Sequence, residues 1–312
     1  FFLLFFYDKI NESMKSGNAE IQFRLQELSS AGFEKIGPVV AAGLRLGAET
    51  ADEFREAMVK LGVTLTSSQI DSIAGIGADT LRTPLWMTGP LAVSRTDATL
   101  VLTADTAQLA LYARLAERSV RVVSRVLTDW DERLVVEVPP DQRTLERALD
   151  VEPRYYQQIA AVTGSADGSV GVGSPIHVYV NPEVFAGLGR RGQGVVLAHE
   201  TAHVAGDGPM SRAPTWLVEG FADYVALRDS PLPLARTAAQ IRDRVREEGV
   251  PMGLPSSSDF DTRGPHLGAV YESAWLACQV LADRVGSMAL ITLYEEVSAG
   301  GSLGQELRRR FA

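Results

Sequence analysis

The spacing of apolar positions changes near residue 90. Before it, Ile21, Phe23, Leu25 and Leu28 make an apolar stripe. The segment 51–61 (ADEFREAMVKL) is amphipathic, with Thr50 as its start signal. Thr66-Ser67-Ser68-Gln69 offers a cap for a further short helix. Residues 8–80 therefore read as helical, punctuated by Gly37-Pro38 and by glycines at 75 and 77. Residues 83–90 read as a linker.

Beyond the linker, strand and helix patterns alternate. Residues 98–103 (ATLVLT) predict a strand. Residues 106–127 predict a long helix, because Leu109, Tyr112, Ala113, Ala116, Val120, Val123 and Leu127 recur at steps of three and four. A second strand is expected at 133–138 (RLVVEV), closed by Pro139-Pro140, and a short helix at 141–149. Residues 155–163 are apolar and aromatic, and 164–173 read as flexible. The run 176–180 (IHVYV) alternates as a strand and stops at Asn181-Pro182. From residue 192 the chain reads as helical to its end. Sequential β-α-β units followed by helices predict an α+β fold with a small mixed sheet. The expected division is a helical region at 1–83 and a main domain at 84–312.

Composition narrows the function. A chain of 312 residues with 46% hydrophobic positions can bury a sizeable core. A net charge of -9 argues against a nucleic-acid binder, which needs a basic face. The one cysteine, Cys278, excludes an internal disulfide and any multi-cysteine metal site; it reads as a small core residue. All four lysines (Lys9, Lys15, Lys35, Lys60) precede residue 61, and every later basic residue is arginine. That split marks a composition boundary between the two regions.

The N-terminus, 1–7 (FFLLFFY), is strongly apolar but too short to span a bilayer, which takes about 20 residues. No Met opens the chain, which fits a trimmed start. Two readings stand: the tail of a membrane anchor or signal segment, or an apolar element packed on the body. An anchor would place the protein at the cell envelope or outside the cell.

The chemistry concentrates at His199-Glu200-Thr201-Ala202-His203, an H-E-x-x-H motif in an apolar, proline-free run. With only four histidines in the chain, this composition yields the motif by chance about 0.003 times. On a helix, positions four apart share a face, so His199 and His203 aim two imidazoles at one point. Glu200 lies about 100 degrees around the helix, beside such a point rather than on it. A base belongs there if it is to take a proton from metal-activated water. The alternative is a pair of satisfied core histidines.

Two imidazoles do not complete a zinc site; a third protein ligand is needed, with one position left open. Thr215 to Tyr224 (TWLVEGFADY) reads as a second helix after a loop with Gly206, Gly208, Pro209 and Pro214. That loop can reverse the chain and bring Glu219 opposite the first helix. Glu219 and Asp223 are four apart and face one way. Glu219 can ligate, and Asp223 can accept the free ring N–H of a ligating histidine. The other reading is a solvated acidic face, which the surrounding apolar run disfavours.

Together, HETAH at 199–203 and WLVEGFADY at 216–224 resemble the gluzincin metallopeptidases. The closest likeness is to the peptidase-MA-like group related to thermolysin and aminopeptidases, which pairs H-E-x-x-H with W-L-x-E-G-x-A. The resemblance is specific over about 195–228 and looser over 98–194 and the C-terminus. It implies a zincin-like domain, with a sheet bearing an edge strand before the active helix. It also implies Zn2+ on His199, His203 and Glu219, Glu200 as the general base, and a peptide or protein substrate. No third histidine follows the motif closely, and no G-x-M-E-N segment precedes it, so an endopeptidase fits better than an aminopeptidase.

Gluzincins commonly add a Tyr or His donor for the oxyanion. Tyr271, on a helix expected at 268–285, and His266 are the candidates, with Tyr224 behind them. Tyr271 also fits a core stripe with Trp275 and Cys278. The strand 176–180 is expected to form the rim of the cleft, where Val178 and Tyr179 could pair with an extended substrate. His177 reads as an ordinary solvent-side histidine, and 308–310 (RRR) as a solvated helix end. Competing readings are a silent zinc-containing peptide-binding module and a latent enzyme covered by the N-terminal region. Nothing in the sequence sets the oligomeric state.

Overall fold

The computed structural model describes residues 85, 89–166 and 175–311. The expected helices within 8–80, the apolar start and most of the linker lie outside the described residues. The elements that build the site belong to one compact unit, Leu91–Glu146, Val151–Ala166 and Val170–Ala312.

Five short runs rich in Val, Leu, Ile, Ala and Thr form one sheet: β1 (Ala92–Arg95), β2 (Thr99–Thr103), β3 (Leu134–Val138), β4 (Ala161–Ser165) and β5 (Ile176–Val180). Their order is β1-β2-β3-β5-β4. The inner pairs are parallel and the two outer pairs antiparallel. A tight turn joins β1 to β2, where the Thr96 hydroxyl accepts from the Thr99 N–H at 3.0 Å.

Helix α1 (Leu109–Val123) links the parallel strands β2 and β3, and short α2 (Gln142–Ala148) follows β3. After β5 the chain is helical: α3 (Pro182–Ala186), α4 (Arg190–Ala205), α5 (Thr215–Leu227), α6 (Leu234–Thr237), α7 (Ala239–Glu248), α8 (Leu267–Val285), α9 (Ser287–Ser298) and α10 (Leu303–Phe311). Asn181, which ends β5, also caps α3 by accepting from the Glu183 N–H at 3.2 Å. The architecture is mixed α/β with a five-stranded mixed sheet, in keeping with the expected α+β class. Among the described residues no helix is long and apolar enough to cross a membrane.

Two cores share α4. The first joins the sheet to α1: Val101, Val136, Val178 and Val180 pack with Tyr112, Leu115, Ala116, Val120 and Leu197. The second is helical. In it Leu217, Phe221 and Val225 meet Ala274, Trp275, Cys278, Leu290 and Tyr294. Gly220 lets α5 lie directly on α8; a Cβ there would sit 2.3 Å from the Ala274 carbonyl oxygen. The Tyr294 ring stacks on Phe221 at 4.1 Å, and its hydroxyl donates to the Gly206 carbonyl at 3.0 Å, which fixes the end of α4.

Several expectations change. Helix α1 is shorter than 106–127. The Asp105 carboxylate accepts from the Ala107 N–H at 2.9 Å and shapes a turn before it, while Val126 and Leu127 close turns after it. Strand β4 occupies residues read as the end of an apolar run and the start of a flexible stretch. Strand β5 lies between β3 and β4, so 176–180 cannot offer a free edge to a substrate. Val178 and Tyr179 are buried, at 0% and 4% exposure. Among the described residues, the outer strand on that side is β4. His177 is not solvent-facing: it is buried at 5% exposure with its Nδ1 on the Glu137 carboxylate.

Candidate metal centre

Helix α4 is buried on more than one side because it lies between the sheet with α1 and the helical core. Thr201, inside the motif, anchors it. Its hydroxyl lies 2.6 Å from the Leu197 carbonyl and 2.8 Å from the Ser119 hydroxyl of α1. Gln193 donates to the Phe185 carbonyl at 3.1 Å. These contacts fix the rotation of α4 and turn His199 and His203 toward α5.

The connection to α5 reverses the chain. Gly206 ends α4, Asp207 takes a left-handed φ of 51°, and a single 3-10 turn spans Gly208–Met210. Gly208 passes so close to His203 that a Cβ would lie 2.7 Å from its Nδ1. Only glycine leaves room for that ring. Pro214 then precedes α5, which presents Glu219 and Asp223 one turn apart toward α4.

Three donor atoms converge. His199 Nε2 and His203 Nε2 lie 3.0 Å apart, and Glu219 Oε2 is 3.2 Å from the first and 3.3 Å from the second. On its other side His199 Nδ1 meets Asp223 Oδ1 at 2.8 Å. A carboxylate at Nδ1 keeps the proton on that nitrogen and leaves a lone pair on Nε2. Nε2 then faces Glu219 Oε2 and His203 Nε2, an arrangement with room for a cation between the three donors.

The triangle suits a divalent ion. Bonds of about 2.0–2.1 Å with tetrahedral angles place neighbouring donors about 3.3 Å apart. All three side chains are largely buried, with exposures of 11%, 9% and 19% for His199, His203 and Glu219. The electrostatics agree. Burial alone would lower the His199 pKa, but Asp223, then Glu219 and Glu200, outweigh it and hold it well above the usual range. Burial alone would raise the Glu219 carboxyl, yet the two imidazoles hold it well below its usual range. The site thus favours positive charge at its centre.

The other expected residues take varied places. Glu200 is buried, turned toward the sheet, and hydrogen-bonded through Oε2 to the Thr163 hydroxyl of β4 at 2.7 Å. Tyr271, on α8, has its ring centroid 6.1 Å from that of His199, and Phe260 packs edge-on against it at 5.2 Å. Burial, followed by the nearby Glu219, Glu200 and Asp223, pushes the Tyr271 phenol well above its usual pKa. It stays a donor at all ordinary pH.

His266 stands apart from this group, at the start of α8 with a left-handed φ of 63°. Its ring is about half exposed, 3.7 Å from Glu248. Tyr224 points into the helical core and donates to the Ser287 hydroxyl at 2.8 Å. Cys278 is fully buried, and burial pushes its thiol pKa far up, as suits a core residue. Thr163 gave no sequence signal, because it lies beside Gly164 in a segment without strand alternation.

No protein-family model and no curated protein matches the chain.

Proposed function

We propose that the protein is a zinc-dependent peptidase, acting within chains as an endopeptidase. The observation that carries this reading is the convergence of His199 Nε2, His203 Nε2 and Glu219 Oε2, with Asp223 behind His199. His199, His203 and Glu219 are the ligands. A zinc ion held by them would supply Lewis-acid chemistry and make a water more acidic there.

Glu200 serves as the general base. It neighbours His199 in sequence yet has its carboxylate outside the ligand triangle, where a proton can be taken and later passed to the leaving amine. Asp223 holds the His199 tautomer and ring orientation. The Tyr271 hydroxyl is the donor for the developing oxyanion, because its ring packs beside His199 and its proton is firmly held. The role of rim passes from β5 to β4, the strand that carries Thr163 beside Glu200.

Purified protein loaded with zinc should cleave casein or a fluorogenic peptide, and a chelator should abolish cleavage. Glu200→Gln should keep its zinc and lose turnover by about 100-fold or more. Full activity in that variant, or chelator-resistant cleavage, would refute the reading.

A further inference from the structure

A general base must do more than exist near the reacting centre. A glutamate side chain has three rotatable bonds, and ordering it costs rotamer freedom. Something has to hold the Glu200 carboxylate. In α4 itself nothing does: the neighbouring residues 197–203 are apolar, are ligands, or are tied elsewhere, as Thr201 is to Ser119.

The holding group comes from the sheet. In β4, Thr163 pairs with Val178 of β5, so its side chain shares the face that packs toward α4. Its hydroxyl lies 2.7 Å from Glu200 Oε2 and 3.0 Å from the Glu200 carbonyl oxygen. One hydroxyl proton thus faces two acceptors of the same residue, the carboxylate and its own backbone. Among the described residues, no other side chain hydrogen-bonds the Glu200 carboxylate. The bond engages one oxygen, Oε2, and leaves Oε1 for a proton from elsewhere. A bond to an ionised acceptor is stronger than a neutral one. A β-branched threonine on a strand also has few χ1 choices, so the hydroxyl is aimed in advance.

We infer that Thr163 is a positioning residue: its hydroxyl fixes the Glu200 carboxylate in the orientation in which Glu200 works as a base. The inference rests on the peptidase reading for the role of Glu200. It assigns to the outer strand a task separate from any pairing with substrate backbone. If Thr163 merely satisfied its own hydroxyl, removing that hydroxyl would change stability and nothing else.

The test uses the full chain loaded with zinc, in wild-type, Thr163→Val and Thr163→Ser forms. Valine keeps the shape and branching and removes the donor; serine keeps the donor. For Thr163→Val, kcat should fall about 10- to 100-fold, the scale of a misplaced reacting group. KM and zinc content should stay at wild-type values. Thr163→Ser should recover most of the loss. Crystal structures of the wild-type and Thr163→Val proteins give a readout free of activity: Glu200 in one orientation on Thr163 in the first, and released from it in the second.

A Thr163→Val protein with wild-type kcat, or an equal loss in Thr163→Ser, overturns the inference while leaving the peptidase reading intact. So does a crystal structure in which Glu200 keeps its orientation in the valine variant. If the wild-type protein cleaves no peptide, the peptidase reading falls and the base role of Glu200 falls with it, even where Thr163 pins Glu200 and valine frees it.

Discussion

The two walls of the site differ in what they contribute. The helical wall, α5 and α8, supplies Glu219, Asp223 and Tyr271, all directed at or beside the two histidines of α4. The sheet wall touches the centre through Glu200, by way of Thr163. Under the peptidase reading, one wall would set the charge and coordination of the centre, and the other where a proton goes. Helix α4 belongs to both cores, so the two histidines of its motif face the helical wall while Glu200 faces the sheet. The difference also gives a criterion. Under the peptidase reading, changes on the helical wall should alter metal retention or transition-state stabilisation, while changes on the sheet wall should alter turnover at unchanged metal content.

The largest expected effect on the helical wall, short of removing a ligand, is Tyr271→Phe. It keeps the ring against His199 and Phe260 and removes the hydroxyl alone. Under the peptidase reading kcat should fall about 100-fold with zinc content unchanged. Wild-type kcat in this variant would reduce Tyr271 to a packing residue.

Asp223→Asn is next. An amide cannot hold the His199 N–H as a carboxylate does, so zinc affinity should fall about 10- to 100-fold. Competition with a chromophoric chelator measures it, and an unchanged affinity would detach Asp223 from the centre.

A smaller effect lies away from both walls, on α10. Beside Glu306, Arg310 and Arg309 donate to the Glu296 carboxylate of α9 at 2.6 and 2.5 Å, and together this cluster holds its carboxyl down at about 2, against an ordinary 4.5. A depressed folded pKa stabilises above the ordinary value and loses that contribution as pH falls toward the folded one. Amides of α10 should therefore lose exchange protection as pH drops from about 4.5 to about 2. Metal binding at neutral pH should be untouched by Glu296→Gln. Protection that ignores this window would mean that the cluster does not hold α10.

Much of this division could be read in advance, for a physical reason. Helical spacing alone puts His199 with His203 and Glu219 with Asp223, and the Gly- and Pro-containing loop between them reverses the chain. The facing of α4 and α5 follows from those local rules. The sheet wall was less legible because strand pairing is non-local. The five residues of β4 (AVTGS) are weakly apolar and include a glycine, so Thr163 carried no sign of its role. Alternation in β5 correctly put His177 and Tyr179 on one face, yet that this face is buried is a tertiary fact. His177 therefore turned out to be paired with Glu137 rather than with water. His266 was a reasonable donor by residue type, but the turn that starts α8 leaves it beside Glu248.

The most direct test of the central claim is a zinc titration of metal-free protein against a competing chromophoric chelator, run on wild-type, Glu200→Gln and Glu219→Ala. The account predicts one tightly bound equivalent in the first two and none in the third. Tight, stoichiometric zinc in Glu219→Ala, or no zinc in the wild-type protein, would contradict it.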